Sequence, residues 1–141
     1  MEWSEAVVIL SEFFRVEDWA TEIGGVYEVV LDKAIDLKVY KIDNNTIGLN
    51  GTVGEPIGDN KQSESVLKKI LQWNFGRLKD NNDVVSIDMA QQKLLIIRRL
   101  GLKHIDDCEI IHQAESFVSN LSFWADATTT QQIPIQSLQP Y

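Results

Sequence analysis

Apolar residues recur at helical spacing in three stretches of the chain and alternate in the stretches between them. Trp3, Ala6, Val7, Leu10, Phe13 and Phe14 trace one helix stripe. Val16, Trp19, Ala20 and Ile23 continue it with a slight rotation. This predicts either one long, wide-faced helix or a break near Arg15–Asp18, where Asp18 would cap a second segment. Gly24-Gly25 closes the stretch. Tyr27 to Leu31 is strand-prone, and Ile35 to Ile42 alternates, with a slip in phase at Tyr40 and Ile42. Asp43-Asn44-Asn45 predicts a hairpin turn. Alternation resumes from Thr46 to Val53, where Gly48 and Gly51 are expected to mark bulges. Gly54 to Asn60 reads as a loop.

A second helix stripe runs through Val66, Leu67, Ile70, Leu71, Phe75 and Leu78. After a polar turn come two strand-like runs, DVVSIDM and KLLIIRRL. The second is apolar at four successive positions, Leu94 to Ile97, which predicts cover on both faces. The last helix enters at Asp106, with Glu109 three residues on as a capping box. Ile110, Ile111, Ala114, Phe117, Val118, Leu121 and Trp124 form its broad apolar face. From Thr128 the chain has no charge and two prolines, the composition of a flexible polar tail. The predicted architecture is α+β, ordered helix, three strands, helix, two strands, helix. Residues 1–127 form a single domain with a twisted antiparallel sheet packed with helices, and 128–141 form the tail.

Composition narrows the function. At 44% hydrophobic residues the 141-residue chain can build a core. Its net charge of −8 argues against nucleic acid, whose phosphates it would repel. Lys68-Lys69 and Arg98-Arg99 are the only basic pairs, and they make no patch. The first residues lack a basic region ahead of a long apolar run, so no signal peptide is read there. No run reaches membrane-spanning length. The single cysteine, Cys108, excludes an intrachain disulfide and is expected to be a small buried hydrophobe. These features place the protein in a reducing cytoplasm. His104 and His112 have no ligand spacing to Cys108, and no phosphate-binding loop or Ser-His-Asp arrangement emerges. Asp106-Asp107 and Glu17-Asp18 are explained by helix dipoles. No catalytic residue, metal or cofactor is assigned.

Candidate binding surfaces come instead from surplus apolar positions. The first helix has more of them than one face needs, including Val8, Phe13 and Phe14. The strand after it comes early in the sheet and is expected at an open edge, with Tyr27, Val29 and Leu31 on one side. Together these six are the candidate partner site, against the plain alternative that each is core. In the central helix, Trp73 lies beside the Leu67–Leu71 line and Asn74 on or next to the stripe. Either Asn74 is a satisfied polar residue on an ordinary amphipathic helix, or the helix has a second buried face against a partner. On the second reading Leu67, Ile70, Trp73 and Asn74, with Val85 and Ile87 of the following strand, form a dimer interface.

The order and size of these elements resemble the class I type III secretion chaperones, the Tir-chaperone family of bacterial cytoplasmic proteins. The resemblance spans Ser11 to Ala127. It is carried by WATEIGG, VLKKILQWNFG, the DVVSID…LLIIRRLGL hairpin and the closing FVSNLSFWADA. The aromatic-rich residues before Ser11 and the uncharged tail depart from it. The resemblance implies a homodimer that binds an extended segment near the N-terminus of a secreted effector and keeps it soluble and secretion-competent, with no ATP or metal bound. Further partners would be the secretion ATPase or a regulator. The alternative is a regulatory protein of the same fold that sequesters a secretion regulator or anti-activator.

Overall fold

The computed structural model describes residues 1–16, 26–31, 35–53, 68, 72, 83–88 and 93–129. Helix α1 spans Trp3–Phe14; strands β1 to β5 span Val26–Leu31, Ile35–Asp43, Thr46–Val53, Val84–Asp88 and Lys93–Gly101; helix α2 spans Asp107–Thr129. Among the described residues all strand pairings are antiparallel and the strand order is β1-β2-β3-β5-β4. This is the expected α+β architecture. Of the predicted central helix only Lys68 and Gln72 are described; both are helical and exposed.

The break in the first helix falls at Arg15, one of the two readings open from sequence. Arg15 adopts φ 57° and ψ 42°, and its N–H and that of Val16 donate back to the carbonyls of Glu12 and Ser11. That closure satisfies the helix end without a glycine. Residues 17–25, with the continued stripe and the Gly24-Gly25 cap, lie outside the described residues.

The β2–β3 hairpin forms where Asp43-Asn44-Asn45 predicts it, with the Asn45 N–H donating to Asp43 Oδ1 at 2.8 Å. The slip in phase along β2 is a register irregularity between Lys41 and Asp43. Gly48 and Gly51 do not make bulges: β3 pairs without a shift on both sides of them. They are instead sites of close approach. The Tyr40 ring lies over Gly48, and the Leu121 side chain of α2 fills the space over Gly51. A glycine in a strand serves either purpose, and alternation alone does not say which.

One face of the sheet is the core face. Ile35, Leu37 and Val39 of β2, Ile47, Leu49 and Val53 of β3, and Leu94, Ile96 and Leu100 of β5 are buried there. Ala6 and Leu10 of α1 and Ile110, Ala114, Phe117, Leu121 and Trp124 of α2 complete the core. Leu95 and Ile97, on the opposite face, are half-buried. Asp106 caps α2 as expected, accepting the Glu109 N–H at 2.7 Å. Glu109 turns its carboxylate to Gln113 Nε2 at 2.9 Å. The helix runs to Thr129, two residues into the stretch read as tail; residues 130–141 lie outside the described set. Cys108 is corrected: it is exposed and free. It stands two residues before buried Ile110, about 200° round the helix, and so faces away from the sheet.

Candidate functional site

α1 buries Ala6 and Leu10, and its apolar flanks are only half covered. On one flank are Trp3, Val7 and Phe14; on the other are Ile9 and Phe13. Trp3 meets Tyr27 with ring centroids 6.1 Å apart and a 34° tilt, so the first flank looks toward β1. Phe13 and Phe14 pack edge to face at 5.0 Å. β1 is a sheet edge, with half of its backbone N–H and C=O groups directed away from β2. The result is a half-buried aromatic strip beside a sheet edge.

The six partner-site candidates divide by burial. Tyr27, Val29 and Leu31 share the core-side face, because they pair with Val39, Leu37 and Ile35. Val29 is 5% exposed and belongs to the core, whereas Tyr27 and Leu31 are half-buried. Phe13 and Phe14 are half-buried as well. Val8 is 55% exposed and stands on the polar face of α1 between exposed Glu5 and Glu12. The structure thus sets Tyr27 against Trp3, with Leu31 on the same face of β1 and Phe14 on the same flank of α1 as Trp3, and sets Val8 apart from them. The nearby carboxylates point away from the strip: Glu5 and Glu12 are exposed on the polar face of α1 with Val8, and Glu28 and Asp36 on the outer face of the sheet. Lys38 sits 3.9 Å from Glu28, an exposed pair of small energetic weight.

At the other edge of the sheet, Val85 is buried and Ile87 half-buried, both toward the helices. The outer face of β4 carries Val84 instead, 51% exposed and paired with Ile97. Leu95 extends this apolar group on β5. Leu67, Ile70, Trp73 and Asn74 lie outside the described residues.

Sequence reading missed a buried polar cluster behind this edge. Asp83 and Arg98 are 1% and 3% exposed. Arg98 donates through Nε and Nη2 to the two Asp83 carboxylate oxygens, and through Nη1 to the Gln113 carbonyl at 2.9 Å. Asn120 Nδ2 donates to Asp83 Oδ2 at 2.7 Å. The signal was the strand parity: Leu94, Ile96, Arg98 and Leu100 fall on one face, so an inward arginine was implied by the same alternation that buries its neighbours. Among the described residues no group of three His, Cys, Asp or Glu side chains is arranged to hold a metal, and no helix is long and apolar enough to cross a membrane.

The model of the Tir chaperone protein (CesT) family matches residues 9–125. No curated protein's sequence matches significantly. Among solved structures, the ExsC–ExsE complex aligns with a TM-score of 0.60 at 14% identity, covering 92% of this chain and 98% of the other. The HopA1–SchA chaperone–effector complex aligns with a TM-score of 0.60 at 14% identity, covering 86% and 93%. The ExoT–SpcS complex from Pseudomonas aeruginosa aligns with a TM-score of 0.57 at 14% identity, covering 84% and 93%. At that identity the three share this chain's fold.

Proposed function

Because the chain belongs to the Tir chaperone protein (CesT) family, we propose that it is a cytoplasmic chaperone of a bacterial type III secretion system. It binds the non-globular N-terminal segment of a secreted effector and keeps it soluble and fit for export. It is a binding protein and carries out no turnover. The observation that carries this reading is the family match over residues 9–125.

The geometry gives the reading a physical route. An unfolded segment brings alternating side chains and unpaired backbone groups. The strip of Trp3, Phe14, Tyr27 and Leu31 takes the side chains, and the β1 edge pairs with the backbone. Ordering the segment costs free energy, so a long contact is required. The net charge of −8 favours a segment with basic residues among its apolar ones. Two copies associate through the central helix, with Leu67, Ile70, Trp73 and Asn74, and through the β4 edge. There the outward side chain is Val84, while Val85 and Ile87 support it from the core side.

The test is capture from the native cell with the tagged chain, followed by mass spectrometry and by binding of the captured protein's isolated N-terminal segment. A secreted protein whose N-terminal segment binds alone is expected, on a chaperone that light scattering reports as a dimer at micromolar concentration. Capture of a transcriptional regulator or anti-activator would move the reading to sequestration. A partner bound only through a folded domain would overturn it.

A further inference from the structure

The Asp83–Arg98 cluster does more than fill space, because its charges stand where the apolar pattern leaves a choice open. Asp83, just before β4, and Val85 and Ile87 within it point inward; on β5 the inward residues are Leu94, Ile96, Arg98 and Leu100. Sliding one strand by a single residue would turn Val84, Ser86 and Asp88 inward, which burial forbids. Sliding by two residues is different. Val85 and Ile87 stay inward, opposite Arg98 and Ile96 in one direction and opposite Leu94 and Gln92 in the other. The connection between the strands changes by only two residues, a small entropic difference.

The charges remove that freedom. The observed pairing of Val84 with Ile97 and Val85 with Ile96, carried one residue further, sets Asp83 opposite Arg98, where the two are hydrogen-bonded. A shift of two in one direction would set Val85 there; in the other it would set Asn81. Only the observed register faces the buried guanidinium with a carboxylate. α2 holds both partners in place. Gln113 accepts from Arg98 through its carbonyl and, at 3.2 Å, through Oε1. Phe117 lies under the guanidinium at 5.4 Å, and Asn120 donates to Asp83. A buried ion pair adds little net stability compared with apolar residues of similar size, while a mispaired one is costly. Its effect is therefore on choice among registers, as a buried polar residue sets register in a coiled coil.

We propose that Asp83 and Arg98 form a register key for the β4 edge. The pair determines where along the sheet β4 presents its outward side chains. With it, Val84 stands beside Ile97; two residues off, it would stand beside Arg99 or Leu95. The strand would move by about 7 Å, enough to misplace any surface built on this edge. The inference concerns the fold of the chain and stands whether or not the chaperone reading holds.

The experiment is disulfide trapping in a Cys108→Ser background, scored by mass spectrometry after mild oxidation. Ser86→Cys with Leu95→Cys reports the observed register. Asp88→Cys or Val84→Cys, each with Leu95→Cys, reports the two shifted ones. With the native pair, only the first combination should close. Replacing the pair by Asp83→Leu with Arg98→Met should leave the melting temperature within a few degrees and let a shifted combination close as well. Moving the acid, by Asp83→Val with Val85→Asp, should transfer closure to the Asp88→Cys combination. Closure confined to Ser86→Cys in the apolar variant, or unmoved in the acid-shifted one, would overturn the proposal. So would an apolar variant that fails to fold, since the pair would then hold the fold together without selecting a register.

Discussion

Gly51→Ala should change sign with the residue above it. In a strand, alanine has an advantage of about 0.5–1 kcal/mol over glycine through lower chain entropy in the unfolded state. Gly51 offers no room for that gain. A methyl group there would collide with Leu121 Cδ2 and stand 2.7 Å from Cδ1 and 3.0 Å from Cγ. Leu121 is fully buried in α2 and cannot swing aside without disturbing Ala125, Phe117 and Trp124 around it. Overpacking of this kind costs about 1–3 kcal/mol. The net expectation is a loss of about 1–2 kcal/mol. Leu121→Ala alone should cost about 2–5 kcal/mol by opening a cavity over β3. In that background the Gly51→Ala methyl group meets no obstacle and fills part of the hole, so it should stabilise. The double variant should therefore be more stable than Leu121→Ala alone, with a coupling of about 1–3 kcal/mol. Urea unfolding of the four proteins measures the cycle, provided the slopes agree. Gly51→Ala effects that are equal in the two backgrounds would refute the claim that Leu121 is seated on Gly51.

Two further outcomes test the site and the turn. Val8→Asp changes an exposed position and should leave the melting temperature within about 2 °C, whereas Val29→Asp places a charge in the core and should cost about 3–5 kcal/mol; thermal melts beside partner co-purification separate them, and a fold lost through Val8→Asp would contradict the exposed placement. The Asp43 carboxyl is held below its ordinary value of 3.8, first by the Asn45 backbone N–H and then by the Thr46 side chain. A depressed carboxyl contributes stability above its unfolded value and loses it as pH falls through the folded one. The advantage of the native chain over Asp43→Ala should thus be constant near neutrality and shrink below pH 3.8. Denaturation curves taken down to about pH 2 measure it, and a difference that grew with acidity would contradict the turn geometry.

The course of the chain was legible in sequence because it depends on local periods. Alternation placed β2 and β3 to within a residue, and the Asp43-Asn44-Asn45 turn follows from side chains that bond their own backbone. The stripe from Ile110 to Trp124 gave α2 and its buried face, and Asp106 gave its cap. The α+β class and the family resemblance rested on that order of elements. Those local signals could not tell what stands above a given position. Cys108 sits in an apolar-rich stretch, yet it faces solvent because burial depends on the angle around the helix. Val8 and Val29 are alike in sequence, but one lies on the outward face of α1 and the other opposite Leu37 under the helices. Gly48 and Gly51 look alike too, and it took the packed structure to set Tyr40 over one and Leu121 over the other. The pairing of Asp83 with Arg98 joins positions fifteen residues apart and is completed by Asn120, thirty-seven residues from Asp83. Such contacts arise only when the sheet and α2 have met, because burial and cross-strand register are properties of the assembled layers and not of any one segment.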